Sequence, residues 1–287
     1  MTELLMYLCT ESPTHVGIIN GEGPPVLRIQ REPVTGYPVI SALRLKGTVR
    51  AAAREADWND EAIQCVFGGP AARGMLSITD AHLVALPVPT LRRTFVWATS
   101  QIMLARLARK YRAVGLDSPP VPGPPPGSAT AASVGWTGPQ GKRILGPRMA
   151  PVAPLPDRAL AAWADRIARD AIGETTESAA LASKLRSDLL AVGSDVMSVL
   201  SSEGMEVTAQ VRISDAKTVE SDLFYIEYLP ANTIMATSIL LRSRGVHAAG
   251  ENLRMLTRLL HGNLVQVGGG EMHGRGLARA RILKAGN

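Results

Sequence analysis

The sequence predicts an α+β protein in which helices pack against a β-sheet. Hydrophobic residues make up 46% of the 287 residues, which provides a sizeable core and excludes a disordered chain. Strand-like segments lie at both ends of the chain, and amphipathic helical segments lie beside and between them. The elements do not follow a regular βαβαβ series, which favours an α+β sheet over a doubly wound parallel one.

The first part of the chain alternates between strand and helix patterns. The predicted elements are a strand over 1–10, a Gly/Pro-rich loop over 13–25, a helix over 44–56, strands over 75–86 and 94–99, and a helix over 100–112. The helix over 44–56 is defined by Leu45, Val49 and Ala52, which recur at helical spacing. Residues 100–112 form a second amphipathic pattern with its basic residues outward.

The middle of the chain differs from both ends. Residues 118–127 are dense in proline, cannot form regular hydrogen-bonded structure and predict an exposed connector. Helical patterns follow over 156–172, 176–192 and 194–202. Residues 117–203 are therefore predicted to be a connector and helical insertion that interrupts a core formed by 1–116 and 204–287.

The last part of the chain returns to strands. Strands are predicted over 206–213 and 222–229 on either side of a polar tip, 214–220. A helix over 251–261, a strand over 264–267, a glycine-rich loop and a strand over 277–283 complete the chain.

Positive charge is concentrated near the C-terminal end. The formal net charge is +6, and residues 237–287 alone carry eight basic and two acidic side chains. Arginine supplies 25 of the 31 basic residues, and its guanidinium suits bidentate phosphate contacts. A polyanionic partner is therefore one interpretation, and a plain solvated surface is the other.

The cysteines and the apolar segments restrict the location. Two cysteines, Cys9 and Cys65, cannot form a disulfide framework, which indicates a reducing compartment. No apolar stretch approaches the roughly 18 residues that a membrane span needs. We therefore expect a cytoplasmic protein without a membrane partner.

The most distinctive local pattern is the loop over 266–276, which has five glycines in nine residues after a predicted strand. Glycines leave backbone N–H groups unshielded and tolerate positive φ, so such a loop can form an anion-binding nest. Arg275 adds a guanidinium at the same place. The loop lacks the Gly-Lys-Ser/Thr of a Walker A motif and leads into a strand, which argues against nucleotide triphosphatases. A plain turn between two strands remains the alternative.

A second basic feature lies on the helix over 44–56. Lys46, Arg50 and Arg54 follow one another at i, i+4 and i+8, so they share a helix face. Gly47 allows a close approach to the backbone beside them. We expect this helix and the loop carrying Arg275 to lie side by side and to form one cradle for a ribose-phosphate strand.

Other kinds of chemistry have little support. The five histidines and two cysteines show no zinc-ligand spacing, and no Gly-x-Ser-x-Gly elbow occurs. No metal site and no tightly bound cofactor are therefore expected. A small-molecule enzyme that uses the glycine loop for a phosphorylated ligand stays open as an alternative from a different class.

A series of short motifs occurs in order along the chain. They are Ser12-Pro-Thr-His15-Val-Gly17, Ile29-Gln-Arg-Glu32, Thr35-Gly-Tyr-Pro-Val-Ile40, Leu45-Lys-Gly47 with Arg50, Val66-Phe-Gly68, Gly74 to Asp80, Pro87-Val88, Phe95-Val-Trp-Ala-Thr-Ser100, Glu227-Tyr-Leu-Pro230, and Gly268-Gly269 to Gly274-Arg-Gly276. Together they resemble the Cmr-type backbone subunit of type III-B CRISPR effector complexes, in the RAMP superfamily. The resemblance covers both ends of the chain and not its proline-rich and helical middle.

The resemblance implies a modified RRM-like (ferredoxin-like) core with a helical insertion and a protruding β-hairpin thumb, over about 213–224. It implies partners: CRISPR RNA, complementary target RNA, further copies of the chain and other subunits of the effector complex. Such subunits stack along the CRISPR RNA and hold its phosphates, while base pairing supplies the sequence specificity. The RNA-binding residues expected here are Arg44, Lys46, Gly47, Arg50, Gly268, Gly269, Gly270 and Arg275.

Two positions depart from the family pattern. Members that cut target RNA carry an aspartate three residues before the Ile of Ile29-Gln-Arg-Glu32, where this chain has Val26. Valine can neither bind Mg²⁺ nor transfer a proton, so we expect little or no cleavage by this subunit. The second departure is Arg44, where the family usually has a serine.

An active enzyme remains the runner-up interpretation. It would be a metal-dependent target-RNA endoribonuclease that uses Glu22, His15 or Glu227, and Mg²⁺ would be required only in that case.

Overall fold

A ten-stranded sheet organises the structure. The computed structural model describes residues 2–17, 26–70, 72–137, 141–210, 223–242 and 246–284, with only the backbone of 26 and 246–249. The strands are β1 (Thr2–Thr10), β2 (Val26–Leu27), β3 (Val39–Ile40), β4 (Leu76–Ile78), β5 (Ala81–Pro89), β6 (Phe95–Ser100), β7 (Ala129–Ala131), β8 (Lys142–Leu145), β9 (Arg148–Pro151), β10 (Leu189–Val192), β11 (Glu206–Gln210), β12 (Phe224–Tyr228), β13 (Ile234–Leu241), β14 (Leu264–Gln266) and β15 (Leu277–Leu283).

Helices cover both faces of this sheet. They are α1 (Ala42–Glu55), α2 (Asp60–Phe67), α3 (Gln101–Ala113), α4 (Arg158–Ile167), α5 (Ala179–Ser187), α6 (Ser194–Glu203) and α7 (Val246–Leu260). A π-helical turn, Ala168–Ile172, extends α4. Within the described ranges, no helix combines the length and apolarity that crossing a membrane would take. The mixture of sheet and helices is the predicted α+β class.

The strand order of the sheet is β14-β15-β1-β13-β5-β6-β10-β7, with β3 paired to β5 and β4 to β13. Strand β1 lies in the interior of the sheet, antiparallel to both β13 and β15. Its residues from Leu4 to Cys9 are all buried, because the strand is covered on both faces.

Alternation along β1 separates two hydrophobic cores. Leu4, Met6 and Leu8 face the core that α1, α2 and α7 complete. Leu5, Tyr7 and Cys9 face the core formed with α3, α4 and α5. The two layers place α1 and α3 on opposite sides of the sheet.

The middle of the chain contributes to the sheet as well as to the helical layer. The predicted helix over 176–192 is wrong at its end, because α5 stops at Ser187 and residues 189–192 form β10. This strand pairs with β6 in parallel and with β7 in antiparallel fashion. All four of its residues are buried, and a short apolar run of this kind lacks the periodicity that separates strand from helix.

Several elements were not predicted from the sequence. They are α2, the short strands β2 and β3, the strands β7, β8 and β9, and the central strand β13. Strand β13 is buried along most of its length, so it lacks the polar alternation that marks a half-exposed strand.

A smaller sheet carries the base of the predicted thumb. Strands β11 and β12 pair antiparallel, and β2 joins β12 in parallel. The predicted thumb over 213–224 lies outside the described residues except for its last two positions. Glu22 also lies outside them.

A buried polar network fixes the helical layer to the sheet. Tyr7 Oη donates to Tyr111 Oη at 2.8 Å, and Tyr111 Oη donates to Asp170 Oδ2 at 2.6 Å. Arg166 Nε donates to the same Asp170 oxygen, at 2.6 Å. Burial, reinforced by the Asp170 charge, raises the pKa of Tyr111, which therefore stays protonated and donates to Asp170.

Glu32 anchors the segment that leads into β3. Its carboxylate accepts hydrogen bonds from Arg106 at 2.6 Å, Thr35 at 2.7 Å and His82 at 2.8 Å. Burial alone would raise the pKa of Glu32, but these hydrogen bonds outweigh it and lower the pKa. The segment is thereby tied to β5 and α3.

Candidate nucleic-acid interface

Helix α1 carries four of the predicted binding residues, and its geometry separates them. Its buried face is formed by Leu45, Val49 and Ala53. With 3.6 residues per turn, Arg44 and Thr48 fall on one flank of that face, and Lys46 and Arg50 fall on the other. These two pairs therefore meet different parts of the protein.

Lys46 and Arg50 line an open groove with a volume of about 820 Å³. The remaining walls come from the end of α2, the loop over 68–74, β4 and the residue that follows β13. Four basic side chains reach it, and among the described residues no aspartate or glutamate lines it. We call it the cationic groove, and its basic residues are Lys46, Arg50, Arg73 and Arg242.

Glycines shape the loop that forms one wall of the cationic groove. Gly68 has a φ of 89°, and a side chain on Gly74 would place its Cβ 2.3 Å from the carbonyl carbon of Phe67. The loop can therefore close on itself only with glycine at these positions. This closure carries Arg73 to the groove. Gly47, on α1, faces open space, because a Cβ at this position would meet no other atom within 4 Å.

On the other flank, side chains of α1 donate hydrogen bonds to backbone carbonyls of two other segments. Arg44 donates a hydrogen bond to the carbonyl of Gly17, just after the His15 motif. Thr48 Oγ1 donates to the carbonyl of Gln266 at 3.1 Å, at the start of the glycine-rich loop. Arg44 thus links α1 to the segment that carries His15, in addition to supplying the predicted positive charge.

His15 is held in a fixed orientation beside β12. Its Nδ1 lies 2.7 Å from the carbonyl oxygen of Glu227, and its ring packs edge-on against Tyr228 at 5.7 Å. A carbonyl only accepts, so Nδ1 carries the proton and Nε2 keeps its lone pair in the neutral ring. A side chain at Gly17 would place its Cβ 2.1 Å from Nε2, so only glycine leaves room for this ring.

Arg275 belongs to the same cluster. Its guanidinium lies over the Tyr228 ring at 4.1 Å and forms an ion pair with Glu206 at 3.1 Å. We call His15, Glu227, Tyr228 and Arg275 the His15 cluster. Its one arginine is already paired with a carboxylate.

The glycine-rich loop packs on the His15 segment. Gly268 has a φ of 83°, and a Cβ there would lie 2.1 Å from the carbonyl oxygen of His15. Gly269 forms an isolated antiparallel bridge with His15. Gly270, in a left-handed conformation, begins the short helical turn that Gly274 ends. These predicted glycines therefore bring the loop against His15.

Comparison with known proteins identifies the family. The model of the RAMP superfamily matches residues 7–279. The chain belongs to the RAMP superfamily. A relative, the CRISPR system Cmr endoribonuclease Cmr4 of Pyrococcus furiosus, is 26% identical over 295 residues, which span 100% of this chain and 98% of the relative.

Solved structures share the fold of this RAMP superfamily chain. Oligomeric Cmr4 from Pyrococcus furiosus superposes with a TM-score of 0.78 and 24% identity, covering 100% of both chains. A chain of the type III-B Cmr-beta complex bound to cognate target RNA has a TM-score of 0.75 and 18% identity, covering 98% of this chain and 97% of that one. The RAMP-type fold thus extends through the middle of the chain, where no motif had been matched.

Glu227 is one of the residues that the endoribonuclease interpretation would use, and its carboxylate has protein partners within this RAMP fold. The residue is 4% exposed, and its Oε2 accepts from the amide of Ile29 at 3.0 Å. Its Oε1 accepts from Arg31, whose other nitrogen donates to the carbonyl of Ser201 at 2.8 Å. A carboxylate paired with a guanidinium does not fit a Mg²⁺ site, because the two cations would compete for the same oxygens. Both carboxylate oxygens of Glu227 thus accept hydrogen bonds from the protein in this structure.

Position 26 lies in the same small sheet. The backbone of Val26 pairs with Tyr225, two residues before Glu227. The structure therefore brings position 26, Glu227 and His15 around one strand, β12.

The expected single cradle divides into two sites in this RAMP chain. Helix α1 and the glycine loop are in contact through Thr48, but Lys46 and Arg50 line the cationic groove, whereas Arg275 lies in the His15 cluster. The prediction that α1 and the glycine loop lie side by side is confirmed. The prediction that their basic residues form one surface is wrong, because Lys46 and Arg50 lie on the flank of α1 that does not contact the loop. Sequence reasoning also missed Arg73 and Arg242, although the quoted motifs at Gly68 and Gly74 bounded the loop that carries Arg73.

Proposed function

We propose that the chain is a backbone subunit of a type III-B-like CRISPR ribonucleoprotein in the cytoplasm. It oligomerises along a CRISPR RNA, holds the RNA phosphates and binds complementary target RNA beside other subunits of the complex. Membership of the RAMP superfamily and the full-length similarity to Cmr4 support this function.

The cationic groove is the observation that carries the proposal. Four basic side chains converge on the cationic groove, the described part of the chain supplies no acidic lining residue, and glycines shape one wall. Such a groove attracts a polyanion along its length and makes no demand on base identity. Sequence specificity then comes from pairing between the guide and its target.

We further propose that this subunit binds target RNA without cutting it. Val26 supplies neither a metal ligand nor a proton-transfer group, and Glu227 is paired with Arg31. His15 alone, although well oriented, is one general base without a partner acid among the described residues.

The binding test uses the intact chain and a fluorescently labelled single-stranded RNA. The Lys46→Ala/Arg50→Ala double variant should bind at least tenfold more weakly, equally for unrelated sequences, with a salt slope lower by about 1.4. Arg112→Ala is the matched control, because Arg112 is an exposed arginine on α3, on the opposite side of the sheet. A double variant that binds like wild type, or that loses affinity for only some RNA sequences, would contradict phosphate binding in the groove.

The cleavage test uses the assembled complex with labelled complementary RNA and Mg²⁺. We expect intact target with the wild-type chain and some cutting with Val26→Asp, if the remaining site is complete. Regularly spaced cuts by the wild-type chain that disappear in Glu22→Ala would refute the non-cleaving proposal and support the metal-dependent endoribonuclease.

A further inference from the structure

Trp58 differs from the other tryptophans of the chain. Trp97, Trp136 and Trp163 are completely buried, and each indole N–H donates to a protein acceptor at 2.8 to 2.9 Å. Trp58 is partly exposed, and its N–H has no acceptor among the described residues. An indole in this state offers both a stacking face and a free donor.

The chain holds Trp58 in place after the end of α1. Asp57 adopts a positive φ of 55°, its amide donates to the carbonyl of Arg54, and the amide of Trp58 donates to Ala53, both at 3.0 Å. The Trp58 ring also contacts Phe67, with ring centres 6.3 Å apart. The indole is therefore preorganised, which lowers the entropic cost of stacking a ligand on it.

Trp58 lines a pocket of about 660 Å³ between the end of α1 and helix α7. Helix α7 contributes two exposed guanidinium groups, Arg254 and Arg258, and the exposed carboxylate of Glu251. Neither arginine has an ion-pair partner in the part of the chain that the structure describes. Apolar walls are supplied by Ala56, Met255 and Leu259.

We propose that this pocket binds one nucleotide, with its base on the Trp58 indole and its phosphate on Arg254 and Arg258. Aromatic faces accept any base, and planar guanidinium groups match phosphate oxygens. Glu251 is placed to accept hydrogen bonds from an amino or hydroxyl group. Two guanidinium groups beside one partly exposed aromatic ring fit a nucleotide better than a protein side chain, which carries no phosphate.

The pocket lies along the same helix as the cationic groove. Arg50 lies five residues before the end of α1, about 8 Å along the helix axis, and Trp58 follows three residues after that end. A strand held in the groove can therefore turn one of its nucleotides into the pocket. Binding of a nucleotide that belongs to a bound RNA strand rests on the proposed function, whereas binding of a free mononucleotide does not.

The experiment measures quenching of indole fluorescence in the full chain by AMP, by inorganic phosphate and by a single-stranded RNA. AMP or RNA should quench Trp58, and the quenching should be absent in Trp58→Phe. Because Trp58→Leu lacks the reporter, its affinity and that of Arg258→Ala are measured by anisotropy of a fluorescently labelled single-stranded RNA, and each should bind about tenfold more weakly, as expected for one base stack or one phosphate contact. Arg112→Ala is the control, and thermal unfolding of each variant reports whether it folds.

The arms of the experiment separate the possible ligands. Quenching by both AMP and RNA indicates a pocket open to free nucleotides, and quenching by RNA alone indicates a nucleotide of a bound strand. No quenching by either, or equal effects of phosphate and AMP, overturns the proposal. A change in self-association in Trp58→Leu or Arg258→Ala without any effect on nucleotides would also overturn it, because the pocket would then be a protein interface. The Lys46→Ala/Arg50→Ala result tests the proposed function separately.

Discussion

The two flanks of α1 use the same residue type for different purposes. On one flank Arg44 donates to a backbone carbonyl and Thr48 joins the glycine-rich loop. On the other, Lys46 and Arg50 line a groove to which the residues that the structure describes contribute no carboxylate. The first flank stabilises the fold of the chain, and the second leaves its charge available for a ligand.

This difference shows that a basic side chain offers its charge to a ligand only where no protein group already compensates that charge. Arg31 and Arg275 are the same residue type as Arg50, yet each is paired with a glutamate. A paired arginine has its charge compensated before any RNA arrives, and removing its partner costs stability. The following predictions separate the structural flank from the binding flank.

The largest effect is expected for Glu227→Ala. This change leaves Arg31 without its carboxylate and the amide of Ile29 without its acceptor, so it should lower the free energy of unfolding by about 3–5 kcal/mol. Chemical denaturation measures the change. The Lys46→Ala/Arg50→Ala variant should unfold within about 0.5 kcal/mol of wild type, as is usual for surface positions.

Equal destabilisation by the two variants would contradict the distinction between the flanks. Arg31→Lys is a useful control, because it retains a positive charge beside Glu227 but loses the guanidinium that reaches Ser201 as well. It should be destabilised less than Glu227→Ala.

The sequence was most informative where the pattern had a clear period. The predicted helix over 44–56 and the strand over 277–283 correspond closely to α1 and β15, because each has one buried face. Strands β10 and β13 are buried on both sides, and neither sequence alternates between apolar and polar residues in the way that identifies a strand. Pairing with β6 and β1 determines their structure.

The candidate site was predictable in its residues but not in their grouping. Charge and nearby glycines predict that Lys46, Arg50 and Arg275 bind RNA. Charge alone does not show which of these side chains already forms an ion pair with an acidic residue. The pairing of Arg275 with Glu206 joins positions far apart in the chain. Two of the quoted family motifs, at Gly68 and Gly74, lie on either side of the loop that forms one wall of the cationic groove, but only the fold shows that α1 and Arg242 face it.

A smaller effect is expected for Gly17→Ala. The added methyl group would overlap the His15 ring, whose Nε2 lies 2.1 Å from the required Cβ position. The ring must therefore turn away from Glu227, at a cost of about 1–3 kcal/mol. The two-dimensional NMR spectrum of the His15 ring should change, while RNA affinity through the groove should not.

A matched control for this variant is Gly47→Ala, on the exposed part of α1 with open space around it. Alanine favours helix more than glycine, so this variant should be as stable as wild type or slightly more stable. A similar loss of stability in both glycine variants would exclude a specific steric role for Gly17.

The smallest effect is expected from removing the charge of Arg275. Its guanidinium is paired with Glu206 and lies on Tyr228, so RNA phosphates need not use it. Arg275→Ala should leave the salt slope of RNA binding nearly unchanged, whereas Arg242→Ala should lower it by about 0.7, the value for one phosphate contact on a single strand. Titration at several salt concentrations measures both slopes. A slope reduced equally by the two variants would mean that Arg275 leaves Glu206 when RNA binds, and that the two flanks of α1 act on one strand after all.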